Sequence, residues 1–246
     1  MKTLIVTSYT TFLPGNYDDV IIGLAQCPHV HGLVVLDNSS FSHIWTGLAL
    51  IGLGARRMGL NLVGNNFGAS HRRRLHAYLA AGKQVWTMSS VNSPESLGLV
   101  VSEGIDLILN ARTRCIYKEP ILSAPRLGCI NIHHGLLPEQ RGTMCDLWAL
   151  AEGEAAGFTL HQMTGKIDAG QILARVQVSR PGDLDYQAYL RRAMGLELAA
   201  TTSLLAELAA SGACATVANH ATGARPHRRN PPAAALRHMI RKGMIL

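Results

Sequence analysis

The sequence predicts an α/β protein, a mostly parallel twisted sheet flanked by helices. Short β-branched runs recur at Leu4–Thr7, Gly32–Leu36, Gln84–Met88, Ile105–Leu109 and Cys129–His133. The stretches between them are long enough to hold helices, which gives βαβ alternation and hence a parallel sheet. Apolar residues make up 48% of the 246 residues and charged residues 16%, a composition too rich in core formers for a disordered chain.

In chain order, Leu4–Thr7 reads as a buried first strand: Thr3 and Ser8 interrupt the apolar run and no small-residue cleavage site follows, which argues against a signal peptide. Tyr17–Gln26, His71–Ala81 and Pro94–Glu103 read as helices, the last with Ser93 as its N-cap. A helix is expected around Cys145–Ala151. Phe158–Met163 and Gln171–Val178 read as two strands that pair antiparallel, and Asp185–Ala210 as a long helix packed on the sheet. These elements make one domain over 1–211. Residues 212–246, rich in Ala, Pro and basic side chains, read as a short C-terminal appendage ending in a short helix. The longest apolar stretch, Trp45–Ala55, is about half the ~20 residues of a bilayer-spanning helix, so no membrane span is expected.

Five scattered cysteines without a C-x-x-C pair predict reduced thiols, a cytoplasmic setting and no metal site. A formal net charge of +7 favours an anionic partner. The arginine run Arg72–Arg74 reads as a solvated helix face. Gly52-Leu53-Gly54 looks like part of a dinucleotide fingerprint, but its third glycine is misplaced and no strand precedes it, so it reads as packing in a loop or distorted helix.

The informative segments are CINIHHGLLPEQRG (129–142) and TGKIDAGQIL (164–173). Residues two apart on a strand share a face, so Asn131 and His133 project together while Ile130 and Ile132 enter the opposite layer. Carboxyl ends of parallel strands are where open α/β sheets bind ligands. Taken singly, His133 reads more readily as a hydrogen-bonded core histidine than as a catalyst, and Asn131 as a turn cap.

The ordered set Asn131-x-His133, Leu136-Leu137-Pro138, Arg141-Gly142 and Ile167-Asp168-Ala169-Gly170 resembles the folate-dependent formyltransferase family, whose members formylate glycinamide ribonucleotide, methionyl-tRNA or amino sugars. The likeness runs from about Val91 to Leu173. His134 and Gly135 depart from it, standing where the family usually carries proline and often serine.

The resemblance implies a Rossmann-like formyltransferase domain that uses 10-formyltetrahydrofolate as formyl donor and needs no metal. It implies Asn131, His133 and Asp168 as catalytic residues. Thr113, Arg114, Cys115 and Ile116 on one loop and Thr164, Gly165 and Ile167 on another then hold the donor, and Asn16, Tyr17 and His134 face the acceptor. The chain past Gly212 is short beside the extra domain of the tRNA-formylating members, and the loop after the first strand has one glycine where the purine enzyme has a phosphate loop. The expected acceptor is therefore a small anionic or zwitterionic amine or hydroxylamine, with no nucleic acid and no membrane as partner and a homodimer as one assembly. Other readings are a hydrolase of the same donor, an NAD(P)-dependent oxidoreductase, and a non-catalytic binding module.

Overall fold

In a computed structural model, which describes residues 1–220 and 226–246, the β-branched runs form strands β1 (Thr3–Ser8), β2 (Val30–Leu36), β3 (Gln84–Met88), β4 (Leu107–Ala111) and β5 (Cys129–His133), joined by β6 (Gly157–Gln162) and β7 (Ile172–Gln177). Their order is β3-β2-β1-β4-β5-β6-β7. The first five are parallel; β6 runs antiparallel to β5, and β7 to β6. Strand order reverses between β1 and β4, and at such a switch point the carboxyl ends splay apart and leave a crevice.

The helices are α1 (Asp18–Ala25), α2 (Phe41–Gly52), α3 (Arg56–Asn65), α4 (Ala69–Ala80), α5 (Pro94–Ser102), α6 (Cys145–Glu152), α7 (Tyr186–Ser211) and α8 (Ala233–Arg241). Side chains alternate across β1: Ile5 enters the core packed against α1 and α7, while Leu4 and Val6 enter the smaller core under α5. Ser93 caps α5 by accepting from Ser96 N at 3.2 Å, and Asp185 caps α7 by accepting from Ala188 N at 3.0 Å. Among the described residues, α7 alone is long and apolar enough to cross a membrane. Its Tyr189, Leu190, Ala193, Met194 and Leu205 pack into the main core instead.

Three features differ from expectation. The segment between β2 and α4 forms two helices, α2 and α3, where the sequence showed only an apolar stretch and a defective glycine motif; GLGARRMG spans the turn between them, after a helix and not a strand. Arg74 is fully buried, donating to Asp18 Oδ1 at 2.8 Å and to Ser8 O at 2.9 Å, and Arg73 also pairs with Asp18, so only part of the arginine run is solvated. The appendage is packed down: Leu236 and Met239 of α8, with Met244 and Leu246, join the main core. Its residues 221–225, including Arg225, lie outside the described residues.

Candidate active site

The crevice at the carboxyl ends of β1, β4 and β5 is a cleft of about 740 Å³. One half is walled by the loop after β4 and the loop after β6; the other by the loop after β1, by α2 and α3, and by α8. Asn131 and His133 on β5 meet Asp168 where the halves join.

Asn131 is oriented by a chain of hydrogen bonds. The Thr113 hydroxyl donates to Asn110 Oδ1 at 2.6 Å, which turns the Asn110 amide so that its Nδ2 donates to Asn131 Oδ1 at 2.8 Å. Asn131 Nδ2 is thereby aimed at His161 Nε2, 3.1 Å away, and keeps its second N–H for a ligand. His161 Nδ1 lies 2.8 Å from Gln162 O, a carbonyl that can only accept, so Nδ1 carries the ring proton and Nε2 is the acceptor.

His133 is fixed by the same logic. Its Nε2 donates to Gln140 O at 2.7 Å, which leaves Nδ1 free and facing Asp168 Oδ1 at 3.5 Å. Gly135 makes this bond possible: a Cβ there would stand 2.6 Å from Gln140 O and 2.7 Å from His133 Nε2, which accounts for the absence of the serine often seen at this position. Asp168 sits in left-handed backbone (φ 51°) and accepts from Gly142 N at 2.9 Å through Oδ2. Asn219, from the appendage, donates to the carbonyls of Asp168 and Gly170 at 3.0 and 2.8 Å and so holds the aspartate turn from outside.

Burial lowers the pKa of His133 against the raising pull of Asp168, and burial with the charge of His133 takes His161 down to about 4. Both rings are therefore neutral at pH 7; the Nδ1 lone pair of His133 faces the Asp168 carboxylate, while Nε2 of His161 accepts from Asn131. Burial pushes the Cys129 thiol up to about 12 and raises that of Cys145 as well, so neither serves as a nucleophile. His133, His161 and Asp168 form the one cluster of potential metal ligands found among the described residues.

All seven residues expected to hold the donor line the first half: Thr113, Arg114, Cys115 and Ile116 on one loop, and Thr164, Gly165 and Ile167 on the other. Ile116 is 60% exposed and Ile167 52% exposed, two large apolar side chains on opposite walls of one opening. Such a pair suits a flat apolar ring between them.

The residues expected at the acceptor are placed differently. Asn16 is fully buried; it accepts from Thr11 N at 2.7 Å and donates to Tyr9 O at 2.7 Å, so it shapes the loop after β1 and does not reach the cleft. Tyr17 is also fully buried, donating to Glu197 Oε2 at 2.5 Å. The reason is local: left-handed backbone at Asn16 and Tyr17 turns both side chains inward before α1 begins. His134 does line the cleft, but its ring lies between two buried carboxylates, 3.4 Å from Asp146 and 3.1 Å from Glu197, and meets Arg112. Burial acts to raise these carboxyls, yet contact with His134 and the charge of Arg112 hold both below the usual carboxylate range. Sequence reasoning missed Asn110, His161, Asn219 and this ion cluster. The alternation Phe158–Met163 that marked β6 also placed His161 beside Asn131 across the ladder, which was the available signal for it.

A profile of the family described as formyl transferase matches residues 67–201. Over 74 residues the chain is 47% identical to the methionyl-tRNA formyltransferases of Bacillus cereus and Bacillus thuringiensis, a match covering 30% of this chain and 24% of those proteins. The match thus spans about a quarter of the length of these curated relatives. Among solved structures, a phosphoribosylglycinamide formyltransferase from Bacillus halodurans superposes with a TM-score of 0.60 at 17% identity, covering 87% of this chain and 97% of that one. A sugar N-formyltransferase from a Shewanella species superposes with a TM-score of 0.55 at 19% identity, covering 94% and 76%. At these identities the superpositions show a shared fold.

Proposed function

The chain belongs to the formyl transferase family, and from that membership we propose that it moves the formyl group of 10-formyltetrahydrofolate to the amine or hydroxylamine of a small metabolite. The observation that carries this reading is the free Nδ1 of His133 facing Asp168 at 3.5 Å beside the spare N–H of Asn131.

In the reaction a nitrogen–carbon bond forms between acceptor and formyl carbon, the bond from that carbon to the folate nitrogen breaks, and one proton moves from acceptor to donor. His133 enters neutral and takes the acceptor's proton on Nδ1. Asp168 balances the imidazolium that results, and the proton then passes to the departing folate nitrogen. The Asn131 N–H stabilises the formyl oxygen as negative charge builds on it, an interaction worth ~3 kcal/mol in comparable sites. Its direction is set in advance by Asn110 and Thr113. Thr113–Ile116 and Thr164–Ile167 take the donor, with Ile116 and Ile167 against its ring.

A thermal-shift titration tests the donor. A bound ligand raises the melting temperature by mass action, so 10-formyltetrahydrofolate or a stable analogue is expected to raise it, whereas NADP⁺ is not. Stabilisation by NADP⁺ alone overturns the reading. Release of tetrahydrofolate at full rate without any amine makes the protein a hydrolase of the same donor.

A further inference from the structure

Resting on the formyl-transfer reading, we infer that the acceptor amine is carried on an apolar body, an aliphatic or aromatic group, and not on a phosphorylated sugar or nucleotide. The acceptor half of the cleft is walled by Phe12 and Leu13 from the loop after β1, Leu50 from α2, Met58 and Leu62 from α3, and Leu236 from α8. The α2 wall is set by a close helix crossing. A Cβ on Gly59 would meet Gly47 O at 2.4 Å, so only glycine lets α2 approach α3 this closely, with Leu50 and Thr46 turned to the cleft.

A phosphate in an α/β crevice is held by free backbone amides of the first loop or by unpaired cations. Here three of the loop's amides are already used: Thr10 N donates to Asn38 Oδ1 at 2.8 Å, Thr11 N to Asn16 Oδ1 at 2.7 Å and Leu13 N to Thr11 Oγ1 at 3.2 Å, so the loop does not present the run of free N–H groups that cradles a phosphate. Of the four Arg and Lys side chains lining the cleft among the described residues, Arg114 and Lys166 stand on the donor loops. Arg228 is engaged by both carboxylate oxygens of Glu152, and Arg112 lies over the Tyr17 ring and meets His134. A multiply charged acceptor would lose its hydration here with only polar side chains such as His43, Thr46, His227 and Asn230 and, among the described residues, no Arg or Lys of this half free of a partner, to replace it, whereas an apolar one gains by burial. The excess positive charge that suggested an anionic acceptor is thus not available to one in this half.

The test compares formyl transfer from 10-formyltetrahydrofolate to a series of straight-chain primary amines, propyl to octyl, and to glucosamine 6-phosphate. The expected result is a rise in kcat/KM of ~3-fold per added methylene up to a plateau, with the best alkylamine at least ~10-fold above the sugar phosphate. Leu50→Asp flattens the series, and Thr46→Trp, which fills the same space, lowers kcat/KM for the longest chains; the melting temperature of each variant shows that it folds. Preference for the sugar phosphate, or a series without slope, overturns the inference and leaves formyl transfer standing. Donor consumption with none of these amines overturns both.

Discussion

Asn110 Nδ2 donates to Asn131 Oδ1 at 2.8 Å, and this bond between neighbouring strands decides which end of the Asn131 amide faces the cleft. β4 and β5 are in register at this pair, so sheet pairing itself delivers the contact. Asn110→Asp removes the donor and sets two acceptors against each other. Its expected effect is a fall in kcat of ~10-fold or more with donor KM little changed, since the interaction lost belongs to the transition state. An equal rise in KM at constant kcat would assign Asn110 to donor binding.

His133 works as a base only when neutral. Its lowered pKa places the acid limb of the kcat/KM profile below the ordinary histidine value of 6.5. Asp168→Asn removes a charge that favours the imidazolium. The expected outcome is a further shift of that limb to lower pH with a plateau ~10²-fold lower, read from pH–rate profiles of both proteins. A limb moved to higher pH contradicts the assignment.

Stability is expected to depend on the same histidines. His161 has an ordinary pKa of 6.5 when unfolded and one of about 4 in the fold, so between these values the unfolded chain binds more protons. Its contribution is complete above pH 6.5 and is lost as pH falls toward 4, on the order of 3 kcal/mol at 1.36 kcal/mol per unit. Urea unfolding at pH 7 and pH 4.5 reads it, and His161→Gln, which keeps a neutral polar ring substitute, reduces the pH dependence.

Much of this was legible in the sequence because it depends on short-range pattern. Strand periodicity put Asn131 and His133 on one face, and β-branched runs with a Ser93 cap located β5 and α5 within a residue or two. The α2–α3 hairpin was not read from the sequence although Phe41, Ile44, Trp45, Leu48 and Ile51 recur at helical spacing on one face of α2: that face points largely outward, with Phe41 and Trp45 exposed, and the close contact with α3 is made through glycines on another face. Asn16 and Tyr17 were misplaced because backbone handedness, invisible in composition, turns them inward. The ion cluster joins residues just past the ends of β4 and β5 (Arg112 and His134) with α6, α7 and the turn before α1, and only the folded chain brings them together.

That cluster carries a stability prediction. Tyr17→Phe deletes the phenol that donates to buried Glu197 at 2.5 Å and leaves a carboxylate oxygen unsatisfied. The expected cost is ~1–3 kcal/mol in urea unfolding. Since Tyr17 does not reach the cleft, donor KM is expected to stay within ~2-fold. A large KM change with unaltered stability would place Tyr17 at the substrate after all.

The most direct measurement is single-turnover formyl transfer from 10-formyltetrahydrofolate to an accepted amine, comparing the wild-type chain with His133→Ala and Asp168→Ala at matched folded fraction. Each variant is predicted to slow transfer by at least ~10²-fold while the donor still raises its melting temperature. Transfer at the wild-type rate in either variant would show that the His133–Asp168 pair is structural and that the chemistry lies elsewhere in the cleft.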